Sequence, residues 1–195
     1  MNDYRSEVTE VTTEEDLRTL AHPIRMRLLG ILRTDGPSTA SKLAVRVGES
    51  SGTTSYHLRR LATGGFIEEL EERGTRRERW WRAAQRITSY SPGTFIDSPG
   101  AHGVLTSMRR EILRWQHVAS EQYLAEEVEW GADWADAAGN SDLVLHLSPA
   151  RLRSMTDEIM ATVERYWNDP TSAEDEDGAD VLVLFSAFPF RDLLL

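Results

Sequence analysis

Ser50-Ser51-Gly52-Thr53-Thr54-Ser55-Tyr56-His57-Leu58-Arg59-Arg60-Leu61, followed at once by Gly64-Gly65-Phe66-Ile67, is the stretch on which the reading of this chain turns. A run of short hydroxyl side chains opens it, and such residues cap helices by accepting hydrogen bonds from otherwise unpaired backbone N–H groups. Ser51 is the expected cap. Leu58 and Leu61 then mark the inward face of a helix that ends at the two glycines, and the apolar Phe66-Ile67 begins something different.

Upstream, Ser38 or Thr39 can cap a helix through Val47 that buries Leu43, Ala44 and Val47, with Gly48 suited to close it in the left-handed conformation. Two short helices joined by a tight turn containing glycine make a helix-turn-helix. Further back, Thr13 with Glu14, Glu15 and Asp16 reads as a helix start, and His22-Pro23 restarts the chain into a helix with Ile24, Leu28, Ile31 and Leu32 on one face. Downstream, residues 66–72 and 76–82 read as two strands about Arg73-Gly74-Thr75, a wing in which Trp80 and Trp81 point to opposite faces.

The net charge of −10 is unevenly distributed: residues 17–86 hold 14 Lys and Arg against 7 Asp and Glu, a net of +7, whereas both flanks are acidic. That asymmetry is expected where one domain meets phosphate and the rest does not. There is no cysteine, so disulfides, thiolate metal sites and cysteine nucleophiles are excluded and a cytoplasmic setting is expected. The first residues lack the pattern of a signal peptide, and the uncharged run 181–190 is too short to cross a bilayer, so no membrane partner is expected.

From Leu20 to Ala84 the order of these features resembles the ArsR-type winged-helix repressors, including metal-independent relatives that begin with a similar Leu-x-x-Pro-x-Arg run. The resemblance covers about 70 of the 195 residues. It implies a sequence-specific, double-stranded-DNA-binding transcriptional regulator, a homodimeric repressor on a near-palindromic operator with half-sites roughly 34 Å apart. The residues placed on DNA are Ser50, Ser51, Thr53, Thr54, Tyr56, His57 and Arg60 of the recognition helix and Arg73, Arg76 and Arg77 of the wing. Short hydroxyls allow close backbone approach, and the arginine fork suits phosphate. Arg25 and Arg27 are open to internal ion pairs or to DNA.

The fold class expected is α+β, mostly α. Residues 1–12 form a loose arm, 13–86 the winged helix-turn-helix domain, 87–102 a linker, and 103–195 a dimerisation and accessory region. In that last region a long helix to about Trp134 carries a seam of Leu105, Met108, Ile112, Trp115 and Ala119 for a partner copy. A small strand-helix-strand unit follows: Leu143–Leu147, a helix after Ser148-Pro149, and Val181–Phe185. Trp115, Trp130, Trp134 and Trp167 either fill a core or line a pocket for a small apolar organic effector. The lone His117/Glu121 pair and the acidic run 174–178 are poor metal sites, so neither a metal nor a cofactor is expected. Motifs for phosphate-cradling loops, nucleophile elbows and metalloprotease helices are lacking, which speaks against an enzyme. Two alternatives stay open: a winged helix that binds protein, and a DNA-binding head fused to a ligand-binding or ligand-processing domain.

Overall fold

The computed structural model describes residues 8–73, 78–173 and 177–191, and the chain divides into two compact units between His117 and Val118. The division falls inside the long helix, well beyond the boundary expected at residues 102–103.

In the first unit, β1 (Val8–Val11) pairs in parallel with β5 (Ile87–Tyr90), so that Val8 faces Ile87 and Val11 faces Tyr90. The expectation of a loose arm is corrected at Val8–Val11 and that of a linker at Ile87–Tyr90, while residues 1–7 of the expected arm lie outside the described residues. Val11 sits in the core, where its burial repays ordering of the strand, and Phe95 is buried on a 3₁₀ turn, Pro92–Phe95, within the expected linker. Arg33 fastens the far side of this pair, donating to the Gln85 carbonyl at 3.0 Å and to Thr88 Oγ1 at 2.7 Å. Burial pushes its guanidinium down to about 10.

The helices begin where their caps stand. Thr13 Oγ1 accepts from the Asp16 N–H at 3.1 Å to start α1 (Glu14–Leu20), and the His22 ring accepts from the Ile24 N–H at 3.3 Å at the head of α2 (Pro23–Thr34). Thr39 caps α3 (Ala40–Val47), which closes on Gly48 at φ 74°. At α4 (Ser51–Thr63) the cap is Ser50 rather than Ser51, its Oγ accepting from the Thr53 N–H at 3.0 Å. Among the described residues Arg25 and Arg27 donate to backbone carbonyls rather than to carboxylates. Arg25 is buried and donates to the carbonyls of Thr19 and Arg18, while Arg27 donates to the Val47 and Arg46 carbonyls, so both tie α2 to the ends of neighbouring helices.

Among the described residues the strands of the wing are shorter than expected, and a third strand joins them. β3 (Ile67–Glu69) and β2 (Ser38–Thr39) flank β4 (Trp80–Ala83) in an antiparallel sheet, with Ile67 opposite Ala83 and Ser38 opposite Trp81. After Glu69 the chain turns into a 3₁₀ segment, Glu71–Arg73. Trp81 packs in the core, while Trp80 lies half-buried under the Lys42 ammonium, 4.8 Å from the ring centre.

α5 (Pro99–Trp130) starts earlier than expected and ends at Gly131, whose φ of 85° breaks it ahead of Trp134. Its seam is corrected as well. Leu105 and Met108 are 2% and 1% exposed, inside the core of their own domain with Leu17, Leu28, Leu58 and Phe95, and Ile112 packs against that core. A helical stripe requires a cover without saying whose, and here the chain itself covers its first half. Trp115 remains exposed and Ala119 half-buried.

The second unit holds the last turns of α5, then α6 (Ala132–Ala137) and α7 (Pro149–Trp167), the latter capped by Ser148 as expected. The strands expected at Leu143–Leu147 and Val181–Phe185 are not formed. Residues 138–148 and 178–191 enter no ladder among the described residues, because a strand exists through its partner's hydrogen bonds and neither segment has one.

Candidate nucleic-acid interface

α4 stands on α3 and on the wing with its apolar face inward. That face is Thr54, His57, Leu58 and Leu61, all buried. Placing Thr54 and His57 on DNA is therefore corrected: Thr54 is fully buried and His57 is 6% exposed, with Thr54 Oγ1 and His57 Nδ1 turned into the domain. The His57 ring packs 4.4 Å from that of His22 and 5.2 Å from that of Tyr56.

The outward residues fall into two stripes at four-residue steps, which places each stripe on one face of the helix. Ser51, Ser55 and Arg59 make one; Gly52, Tyr56 and Arg60 make the other. Tyr56, Arg59 and Arg60 are exposed, as are Ser50, Ser51 and Gly52 at the helix start, and Thr53 is half-buried beside the Ser50 cap with their hydroxyls 2.9 Å apart.

The first stripe lines a depression of about 490 Å³ whose other walls are Thr39, Ala40 and Ser41 at the start of α3 and Glu78, Arg79 and Trp81 of the wing. Three features that favour an anion meet there: the positive end of α3, the hydroxyls of Ser41, Ser51 and Ser55, and the guanidinium groups of Arg59 and Arg79. Arg59 Nε donates to the Ser55 carbonyl at 3.2 Å, which lays the side chain along the helix, and Arg79 lies 3.2 Å from Glu69 at the wing. Ser41, Ser55, Arg59 and Arg79 were not singled out as site residues from the sequence. The four-residue step from Ser51 was the signal that could have found two of them.

At the wing, Arg73 is exposed and stacks over Trp80, its guanidinium carbon 5.9 Å from the ring centre. Arg76 and Arg77 lie outside the described residues. In the second unit, the structure brings Trp130 and Trp134 together edge to face at 5.9 Å, while Trp130 and Trp167 are exposed and Trp134 half-buried; Trp115, in the first unit, is exposed too. Among the described residues, no three His, Cys, Asp or Glu cluster as metal ligands, and no helix is long and apolar enough to cross a membrane.

A family model falls on the same segment. Residues 20–69 match the family model described as a helix-turn-helix domain. No curated protein matches the chain. Among solved structures, one similar chain is the homodimeric winged helix-turn-helix DNA-binding domain of Mb0332 from Mycobacterium bovis, described as a possible ArsR-family transcriptional regulator: 21% identity over 58% of this chain and 81% of that one, TM-score 0.32. Another is the transcriptional regulator PA4135, 16% identical over 63% of this chain and 85% of that one, TM-score 0.34. A third is RV1404 from Mycobacterium tuberculosis, 17% identical over 77% and 81%, TM-score 0.30. With α3 and α4 joined at Gly48 and the sheet of β2, β3 and β4 at their side, the matched segment and its wing are a winged helix-turn-helix domain.

Proposed function

We propose that this protein is a sequence-specific, double-stranded-DNA-binding transcriptional regulator that works as a homodimeric repressor on a near-palindromic operator. The observation that carries the reading is the polar, cationic face of α4 continuing into the depression between α3 and the wing. Tyr56 and Arg60 meet base edges in the major groove, and Ser41, Ser51, Arg59 and Arg79 hold the adjacent phosphates. Exposed Arg73 extends the contact along the wing. An effector, on this reading, is an apolar organic molecule that meets the edge-to-face pair of Trp130 and Trp134.

The test is selection of bound sequences from a random duplex pool, followed by anisotropy titration of the enriched site at several salt concentrations. An enriched inverted repeat, bound with an affinity that falls steeply with salt, is the expected result. A pool that stays random after selection would defeat the proposal and favour a protein-binding winged helix.

A further inference from the structure

The second unit contains the material of a core and buries none of it. Among its described residues no side chain is buried. α7 carries Leu152, Met155, Ile159 and Val163 on one stripe, and all four are only half-covered. Residues 138–148 and 178–191 run without a helix, turn or bend and enter no ladder. Ten large apolar side chains are exposed along them, at Leu143–Leu145, Val181–Phe185, Phe188 and Phe190, and among the described residues the backbone beside them has no ladder partner on either edge.

We infer that these two segments are strands of a sheet completed by a second copy of this chain, each copy contributing both segments and its α7. Consecutive apolar residues from Leu143 to Leu145 and from Val181 to Phe185 put apolar groups on both faces of a strand, the pattern of a sheet covered on both sides. One copy offers two such strands and one long amphipathic helix, enough to cover a single face of a ribbon too narrow to be stable. Two copies offer four strands and a helix for each face.

A second copy also fits the charge and the area. Val181–Phe190 carries no Asp, Glu, Lys or Arg and Leu143–Leu147 none either, whereas residues 118–195 as a whole hold 17 Asp and Glu against 4 Lys and Arg. A basic partner would be drawn to the acidic remainder and leave the uncharged ribbons wet; an uncharged ribbon matches them, and the same chain supplies it. The ten exposed side chains represent roughly 600 Å² per copy, close to the about 800 Å² per partner of a stable interface. The symmetric arrangement closes on itself, so assembly stops at two. The inference rests on the homodimer proposed above and places its interface.

The experiment uses the full chain. Sedimentation of the wild type should give a dimer, and Leu145→Asp with Val183→Asp should weaken self-association by roughly 100-fold or more. Because both side chains are exposed in one copy, the variant's first unit should keep its thermal unfolding and its binding to a single half-site, which separates failure of the interface from failure of DNA recognition. Amide exchange adds a second readout: protection over 143–147 and 181–190 should rise with protein concentration and vanish in the variant. A monomeric wild type, a dimer indifferent to the two aspartates, or protection that persists on dilution to monomer would each overturn the inference.

Discussion

The imidazole rings of His22 and His57 lie 4.4 Å apart where the cap of α2 meets the buried face of α4. Burial first, and the Arg25 guanidinium next, hold both below the ordinary value of 6.5, with Glu49 opposing; His57 also lowers His22. The fold therefore keeps both rings neutral, and His22 Nδ1 remains able to accept from the Ile24 N–H.

The consequence for stability has a definite sign. Above pH 6.5 the rings are neutral whether the chain is folded or not, so their contribution is fully present. As pH falls below 6.5 the unfolded chain takes up protons that the folded one refuses, and stability declines until the lowered folded values are passed. The thermal midpoint of the wild type should thus fall from pH 7 toward pH 5, and His57→Gln should flatten that fall. Asp35 and Glu111, held low by hydrogen bonds from Thr34 and Arg46 and from Arg114 respectively, titrate below this window. Equal slopes in the two proteins between pH 7 and 5 would show that the rings are not the source.

A second expectation concerns the end of α4. A Cβ on Gly64 would stand 2.9 Å from Thr19 Cγ2 and 3.1 Å from the Phe66 ring, both buried, so α1 and α4 approach as closely as they do because residue 64 has no side chain. Gly64→Ala should cost about 1–3 kcal/mol through overpacking, and Thr19→Ser, which removes the nearer methyl, should recover part of it. Gly65→Ala should also destabilise, by roughly 1–2 kcal/mol, for a different reason: its φ is 73° with open space around it, so no change at Thr19 should help. Chemical denaturation of the four proteins distinguishes steric from backbone cost.

Arg33 gives a third. Its side chain reaches from α2 to both Gln85 and Thr88, and β5 in turn holds β1. Arg33→Met keeps the stem but removes the fork, and loss of a charged hydrogen bond of this kind is worth about 1.5–3 kcal/mol. Exchange of the β1 and β5 amides should accelerate more than that of the α3 and α4 amides. Uniform acceleration would mean that the strand pair is not an independent element.

Much of this fold was legible because its punctuation is local. Thr13 and Ser148 cap the helices they were expected to cap, Thr39 is the cap of the two candidates offered for α3, and Gly48 closes that helix, since each acts through backbone groups within a few residues. What failed depends on distant surroundings. Thr54 and His57 are polar in composition but inward in position, which the four-residue step from Thr54 to Leu58 could have suggested. Leu105 and Met108 lie on a stripe that fits a partner helix as well as the parent domain, and periodicity cannot distinguish the two. The pairing of Val8–Val11 with Ile87–Tyr90 joins residues about eighty apart, beyond the reach of any window. The apolar runs near 143 and 183 were rightly read as apolar, yet no strand forms where the chain supplies no neighbour.

The last expectation separates reading from holding at the DNA face. Arg59 and Arg79 stand at the wall of the depression beside the start of α3, where phosphate is the natural occupant, whereas Tyr56 is exposed on the other stripe of α4. Replacing Arg59 or Arg79 by alanine should weaken binding to every duplex alike and reduce the slope of log affinity against log salt by about 1 each. Tyr56→Phe should leave that slope unchanged and alter preference among operator variants by about 1–3 kcal/mol at the base it meets. His57, turned inward, should behave as neither: His57→Gln should change the thermal midpoint and leave sequence preference intact. Titrating wild type and the four variants against the selected operator, single-base variants and a random duplex tests all three roles at once. A preference altered by His57→Gln while stability is unchanged would mean that the ring turns outward on DNA, and the face assigned to α4 would have to be rotated.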